Sequence, residues 1–145
     1  MRLGLYSQRA RQPLKRFQKI ANSQRWPSLV HLREHLCSYE ETEEFDYLTQ
    51  FRDFYSLSGL RDLLLHPREV EFTPKSLQHF LQEAGLQFMG FDNLAEHVQA
   101  DFRRECPSQA SNDLHAWEHF EEKYPRTFKD LYVFWCRPTK SGPSI

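Results

Sequence analysis

An α/β fold with a small sheet is the class this sequence predicts, on three observations. Three short segments, LGLY (3–6), QFMGF (87–91) and LYVFWC (131–136), have the length and apolar content of strands. The first and last are nearly continuous apolar runs, which predicts strands covered on both faces. Between the three, apolar residues recur at three- and four-residue spacing, the pattern of a helix with one buried stripe.

The elements follow in chain order. After the first strand, Ala10, Leu14, Phe17 and Ala21 sit at helical spacing. Residues 28–50 carry Leu29, Leu32, Leu36 and Tyr39, then the acidic run Glu40, Glu41, Glu43 and Glu44, which reads as a solvated turn or a helix start. Residues 51–66 place Phe51, Phe54, Tyr55, Leu60, Leu63 and Leu64 on a further helical segment. Pro67 ends it, because the residue before a proline is pushed out of the helical region. In FTPKSLQHFLQEAGLQFMGF (72–91), Thr73 is the N-cap and Pro74 suits the first helical position. Leu77, Phe80, Leu81 and Ala84 form the stripe, and Gly85 ends the helix where the second strand begins. Two more helices are expected at 93–105, before Pro107, and at 112–123, before Pro125; the tail after Arg137 reads as loose. Three strands are few for about six helices, since a sheet buried on both sides usually has more members.

A chain of 145 residues fits one domain with a sizeable core. Hydrophobic residues at 39% and charged residues at 27% exclude a disordered chain. No apolar run approaches the roughly 20 residues of a membrane helix, so no membrane partner is expected. Cys37, Cys106 and Cys136 are odd in number and widely spaced, which argues against a disulfide framework and for a reducing, cytoplasmic setting. The net charge of −1 conceals an asymmetry: residues 1–33 hold eight Arg or Lys and no acid, and the remainder carries −9. Such a start fits a presequence, a nucleic-acid arm or the solvated face of a helix, and the apolar spacing favours the last.

Two stretches, HLREH (31–35) and HAWEH (115–119), have the H-x-x-E-H form that holds zinc in some metalloproteases. Catalytic zinc needs a third protein ligand. After HAWEH the available acids, Glu121, Glu122 and Asp130, lie on or just past the same helix, and HLREH has no distinctive third-ligand signature. No metal site is expected. Walker A, GxSxG and GxGxxG motifs are also missing, so no phosphate cradle is expected in this sequence. The segment 53–73 gathers Tyr55, Ser56, Arg61, Asp62, His66, Arg68 and Glu69 around Leu60, Leu63 and Leu64. That density of donors and acids suits a pocket lining, but taken by themselves the residues read more simply, Arg61 and Asp62 as surface charges and His66 as a favourable helix C-terminal residue.

Four stretches together resemble one family. GLYSQRARQ (4–12), DFYSLSGLRDLLLHPREVEFT (53–73), GLQFMGF (85–91) and the closing W-x-x-F-E-x-x-x-P-x-T-F-x-x-x-Y-x-F-W (117–135) are similar to the C-terminal part of bacterial class I S-adenosylmethionine-dependent methyltransferases, in the subgroup often joined to tetratricopeptide repeats. At His66-Pro67 the sequence departs from the aliphatic residue that follows this His in the family. The resemblance implies a partial Rossmann-like sheet of about three strands: Met1–Ser7, then 87–91 and 131–136, the last antiparallel between its two neighbours. It implies a single partial domain over 1–145, with 8–66 a large helical insertion and 72–137 the C-terminal helices and strands. It further implies a substrate-side portion of the enzyme, inactive alone. The glycine-rich turn and the ribose-binding acid of the family are not in this sequence, so no cofactor is expected here, and the complete enzyme would use S-adenosylmethionine. The implied partner is an N-terminal methyltransferase half or a tetratricopeptide-repeat region. Tyr6 and Ser7, at the end of the first strand, and Tyr55, Ser56, Arg61, Asp62 and His66 are the substrate-side candidates. The alternative is a non-enzymatic module, RNA-associated through its basic segment 2–33.

Overall fold

The computed structural model describes residues 1–66, 69–92 and 94–139. It is a mixed α/β protein with a four-stranded sheet in the order β2-β1-β4-β3, built from β1 (Arg2–Ser7), β2 (Glu71–Phe72), β3 (Leu86–Phe91) and β4 (Leu131–Pro138). β1 pairs parallel with β2 and antiparallel with β4, and β4 pairs antiparallel with β3. The last strand therefore lies between β1 and β3 and runs against both. β2 is an addition to the three expected strands. Two residues are too few for an alternating pattern to show, and its place is set by pairing Glu71 with Tyr6 and Phe72 with Ser7.

The chain divides into two compact units. One comprises residues 1–10 and 70–145, the other residues 11–69. In the sheet-containing unit, α6 (Pro74–Glu83), α7 (Glu96–Glu105) and α8 (Leu114–Lys123) supply the helices. Thr73 caps α6 through the capping box formed with Ser76, and Pro74 stands at its start, as the sequence predicts. Gly85, at a φ of +65°, then turns the chain directly into β3; a side chain would strain that conformation. The core of this unit gathers Leu77, Leu81, Phe102, Trp117 and Phe120 over the inward residues Tyr132, Phe134 and Cys136 of β4. Phe102 and Trp117 stack at 3.8 Å between ring centroids.

The helical unit holds α2 (Leu14–Asn22), α3 (Leu29–Cys37), α4 (Glu43–Leu48), a 3₁₀ turn at Arg52–Tyr55 and α5 (Leu57–Leu65); the short α1 (Gln8–Arg11) precedes α2. Leu14, Phe17 and Ala21 are buried, as their spacing predicts. Ser28, Thr42 and Ser56 each accept a backbone N–H at the start of α3, α4 and α5. The acidic run resolves into both of its readings: Glu40 and Glu41 lie in a turn, while Glu43 and Glu44 begin α4, where negative charge suits the helix dipole. Residues 51–66 are not one helix. The Ser56 cap separates the 3₁₀ turn from α5, and Gly59 lies close against the turn, where a Cβ would come within 2.7 Å of the Asp53 backbone. α5 ends at Leu65; the proline assigned as its stop, Pro67, and Arg68 lie outside the described residues, as does the tail 140–145.

Two expectations about burial change. β4 is apolar on both faces, yet Tyr132, Phe134 and Cys136 are buried whereas Leu131 and Trp135 are exposed and Val133 is half-buried. The core of the sheet-containing unit lies on the Tyr132, Phe134 and Cys136 side. Arg9 and Arg11 do not belong to a solvated basic face, because Arg11 is fully enclosed and Arg9 mostly so. Among the described residues no helix is long and apolar enough to cross a membrane.

Candidate functional site

The most developed polar constellation lies at the carboxyl end of β1. Ser7 is the last residue of the strand and fully buried; its amide donates to the carbonyl of Asp130 at 2.8 Å. Asp130 itself has a φ of +74°, an uncommon conformation for a residue with a side chain. The Ser7 hydroxyl accepts from the Ala10 amide at 3.2 Å and donates to Glu121 Oε1 at 2.9 Å. Glu121 Oε2 accepts from the Tyr132 hydroxyl at 2.6 Å and from Arg9 Nη1 at 3.0 Å. Arg9 Nη2 also pairs with Glu118 and approaches Glu122 Oε1 at 3.5 Å. Glu118 Oε2 in turn accepts the Lys75 amide at 2.7 Å, near the start of α6.

Three elements meet in this network because of their periodicities. Glu118, Glu121 and Glu122 are three and four residues apart on α8 and share one side of it. Tyr132 is an inward residue of β4, and the first turn after β1 brings Arg9 over both. Burial pushes the Glu121 carboxyl above its ordinary pKa, with donors Tyr132, Ser7 and Arg9 holding it back. Partial burial works the same way on Glu118, but Arg9 and the Lys75 amide outweigh it and hold that carboxyl below its ordinary value. Burial and the neighbouring Glu121 both raise the Tyr132 phenol, so it stays a hydrogen-bond donor. Chemically, the inner part is a satisfied clamp without a free nucleophile. Its outer part, Arg9 with Glu118 and Glu122, reaches solvent.

The sequence-derived candidates fall in two places. Ser7 is in the network and Tyr6, half-buried, precedes it on β1. Tyr55, Ser56, Arg61, Asp62 and His66 belong to the helical unit and are exposed. Tyr55 donates its hydroxyl to the Thr49 carbonyl at 2.9 Å, Ser56 caps α5 through the Gly59 amide, and His66 is the residue that ends α5. Among the described residues no hydrogen bond or ion pair joins these five to one another. Arg9, Glu118, Glu121 and Tyr132 are not among the substrate-side candidates read from sequence, although Glu118 is the Glu of HAWEH and Glu121 is one of the acids weighed there as a third zinc ligand. One signal was present: Leu114, Trp117 and Glu121 recur at helical spacing, which puts a carboxylate on the core-facing stripe of α8. The helical unit has a buried pair of its own, Arg11 with Glu69 at 2.6 Å, which joins the first and last residues of that unit.

The H-x-x-E-H stretches serve other contacts. The His31 ring is 2.8 Å from the Ser28 hydroxyl, His35 lies against Trp26 and Tyr39, and His119 approaches Glu122 at 3.5 Å. Among the described residues no group of three or more His, Cys, Asp or Glu is placed to hold a metal ion. Of the basic residues in 1–33, Arg2, Arg9, Arg11 and Arg16 each form an ion pair. No protein-family model matches the chain, and a search of curated proteins finds no significant match.

Proposed function

We propose that the chain is the C-terminal, substrate-side portion of a class I S-adenosylmethionine-dependent methyltransferase, with the cofactor-binding half supplied by residues outside this sequence. One observation carries the reading. β1 and β3 run in the same direction with β4 antiparallel between them, which is the strand plan implied by the sequence resemblance. Ligands of open α/β sheets bind beyond the carboxyl ends of the parallel strands. Tyr6 and Ser7 stand at that end of β1, and the Ser7–Glu121–Arg9 clamp would hold the following turn rigid beneath a substrate. The alternative of an RNA-associated module has less support, because four cations of its basic segment are engaged within the protein.

The test is to sequence the coding DNA upstream and express the longer in-frame product. We expect a glycine-rich segment within about one domain's length, roughly 100–150 residues. Calorimetry should then show one-site S-adenosylmethionine binding to the longer product and none to the 145 residues alone. Absence of such a segment, or saturable cofactor binding by the 145 residues, would overturn the proposal.

A further inference from the structure

We infer that a cleft between the end of β3, α7 and the loop leading into α8 binds a small molecule made of a planar aromatic ring and a single carboxylate. The inference does not rest on the methyltransferase reading, because every lining residue belongs to the sheet-containing unit of this chain.

The cleft holds about 520 Å³, within the roughly 300–1,000 Å³ typical of small-ligand sites. Its strand side is built from Met89, Gly90 and Phe91, the last three residues of β3. The register of β3 shifts between Phe88 and Gly90, and Gly90 holds a φ of +133°, a conformation that side chains rarely adopt. A Cβ placed on Gly90 meets nothing within 4 Å, so the strand leaves open space beside its backbone. Bulges of this kind recur next to functional sites, where they re-aim a strand. Because β3 runs in the same direction as β1, the cleft adjoins the carboxyl end of the sheet, where open α/β sheets take ligands.

The lining decides the ligand. Phe91, Phe102 and Trp117 supply an aromatic wall in which Trp117 stacks on Phe102 and meets Phe91 edge-on, with ring centroids 3.8 and 5.3 Å apart. Such a wall favours a further ring, stacked or edge-on, over a flexible aliphatic chain. Gln99 donates its side-chain amide to the Leu94 carbonyl, whereas the side chains of Arg103, Gln109 and Ser111 form no hydrogen bond or ion pair among the described residues. Arg103 is the one formal charge among the described lining residues. The acids nearest to it on α7 are taken by other cations, Asp101 by Arg104 at 2.8 Å and Glu105 by Lys123 at 2.6 Å. A guanidinium fork matches a carboxylate in shape and in charge. One cation balances one carboxylate; a phosphate monoester, with close to two charges, calls for more. Gln109 and Ser111 leave donors for polar substituents on the ring.

Indole-3-acetate is the probe, with indole-3-acetamide, tryptamine and octanoate as controls that remove the charge, reverse it, or remove the ring. Each is titrated into the full 145-residue chain and followed by amide NMR shifts. We expect indole-3-acetate to bind about tenfold or more tightly than the acetamide and tryptamine, the gain of a charge-assisted pair over a neutral one, and more tightly than octanoate. Shifts should concentrate on residues 89–91 and 99–111. Arg103→Glu, at an exposed position of α7, should reverse the order so that tryptamine binds best. The comparison of probes uses the unaltered chain, so the test stands whether or not the variant folds. No binding at millimolar probe, an acetamide or octanoate that binds as well as the acid, an Arg103→Glu chain with unchanged preference, or shifts centred outside the cleft would each overturn the inference.

Discussion

Glu121→Ala should destabilise the sheet-containing unit by about 3–5 kcal/mol, the cost of removing one partner from a buried charged pair. The Glu121 carboxylate is fully buried and takes three donors, so its deletion acts at three places. The Ser7 and Tyr132 hydroxyls lose their acceptor inside the protein, at about 1–3 kcal/mol each for a buried group left unsatisfied. Arg9 keeps Glu118 and Glu122 and is not orphaned. Relief of the buried charge offsets part of the sum, which is why the estimate stays within the stated range. Against a total stability of roughly 7–20 kcal/mol for a chain of this length, the loss is a substantial fraction.

Urea unfolding followed by Trp117 fluorescence measures this unit, because Trp117 is buried in its core. Trp26 and Trp135 are replaced by Phe so that one signal remains. Tyr132→Phe should cost about 1–2 kcal/mol in the wild type and close to nothing in the Glu121→Ala background, where the hydroxyl is already unpaired. A Glu121→Ala cost below about 0.5 kcal/mol, or an equal cost of Tyr132→Phe in both backgrounds, would refute the reading of the clamp as an interdependent network.

Three further outcomes follow from particular contacts. Glu121 has a raised folded-state pKa, so its contribution is present below the ordinary carboxylate value and is lost as pH rises through the folded value; Glu118, held low, behaves oppositely and loses its contribution as pH falls. Glu121→Gln cannot titrate, so the stability of wild type relative to this variant should decline as pH rises above the ordinary carboxylate range, and a constant or growing difference in urea midpoints would contradict the assignment. Gly59→Ala should cost about 1–3 kcal/mol through overpacking, since the new Cβ meets Asp53 backbone atoms at 2.7 Å; a neutral result in thermal unfolding would show that the 3₁₀ turn yields freely. Glu69→Ala should cost about 1.5–3 kcal/mol by removing one charge-assisted hydrogen bond from the buried Arg11, and a neutral result in guanidinium unfolding would show that the pair adds nothing to the helical unit.

The parts of the fold that could be read from sequence are those governed by local chemistry. Thr73, Pro74 and Gly85 act within a turn of one helix, and the apolar stripe of α2 follows a fixed period, so both appear directly in the residue order. The clamp could not be read in this way. Arg9 meets Glu118 and Glu121 across 109 and 112 positions of chain, and Arg11 meets Glu69 across 58. Composition records these arginines as charge without recording that carboxylates neutralise them. A basic amino-terminal segment consequently looked solvated or nucleic-acid-binding when four of its cations have acidic partners. β2 was hidden for a similar reason, since two residues acquire strand geometry only by lying beside Tyr6 and Ser7.

β4 shows the reverse case, in which the sequence expresses more burial than the described residues supply. Its apolar run predicts cover on both faces, and the outer face instead carries a half-exposed tryptophan that lies between Arg2 of β1 and Gly90 of β3. Polar residues at 131, 133 and 135 would suit a strand with one solvated face, because alternation is the usual pattern when one side of an antiparallel pair meets water. Leu131, Val133 and Trp135 break that pattern three times in succession. A single exposed apolar residue needs no explanation, whereas three in register on one face define a surface with a shape and a length.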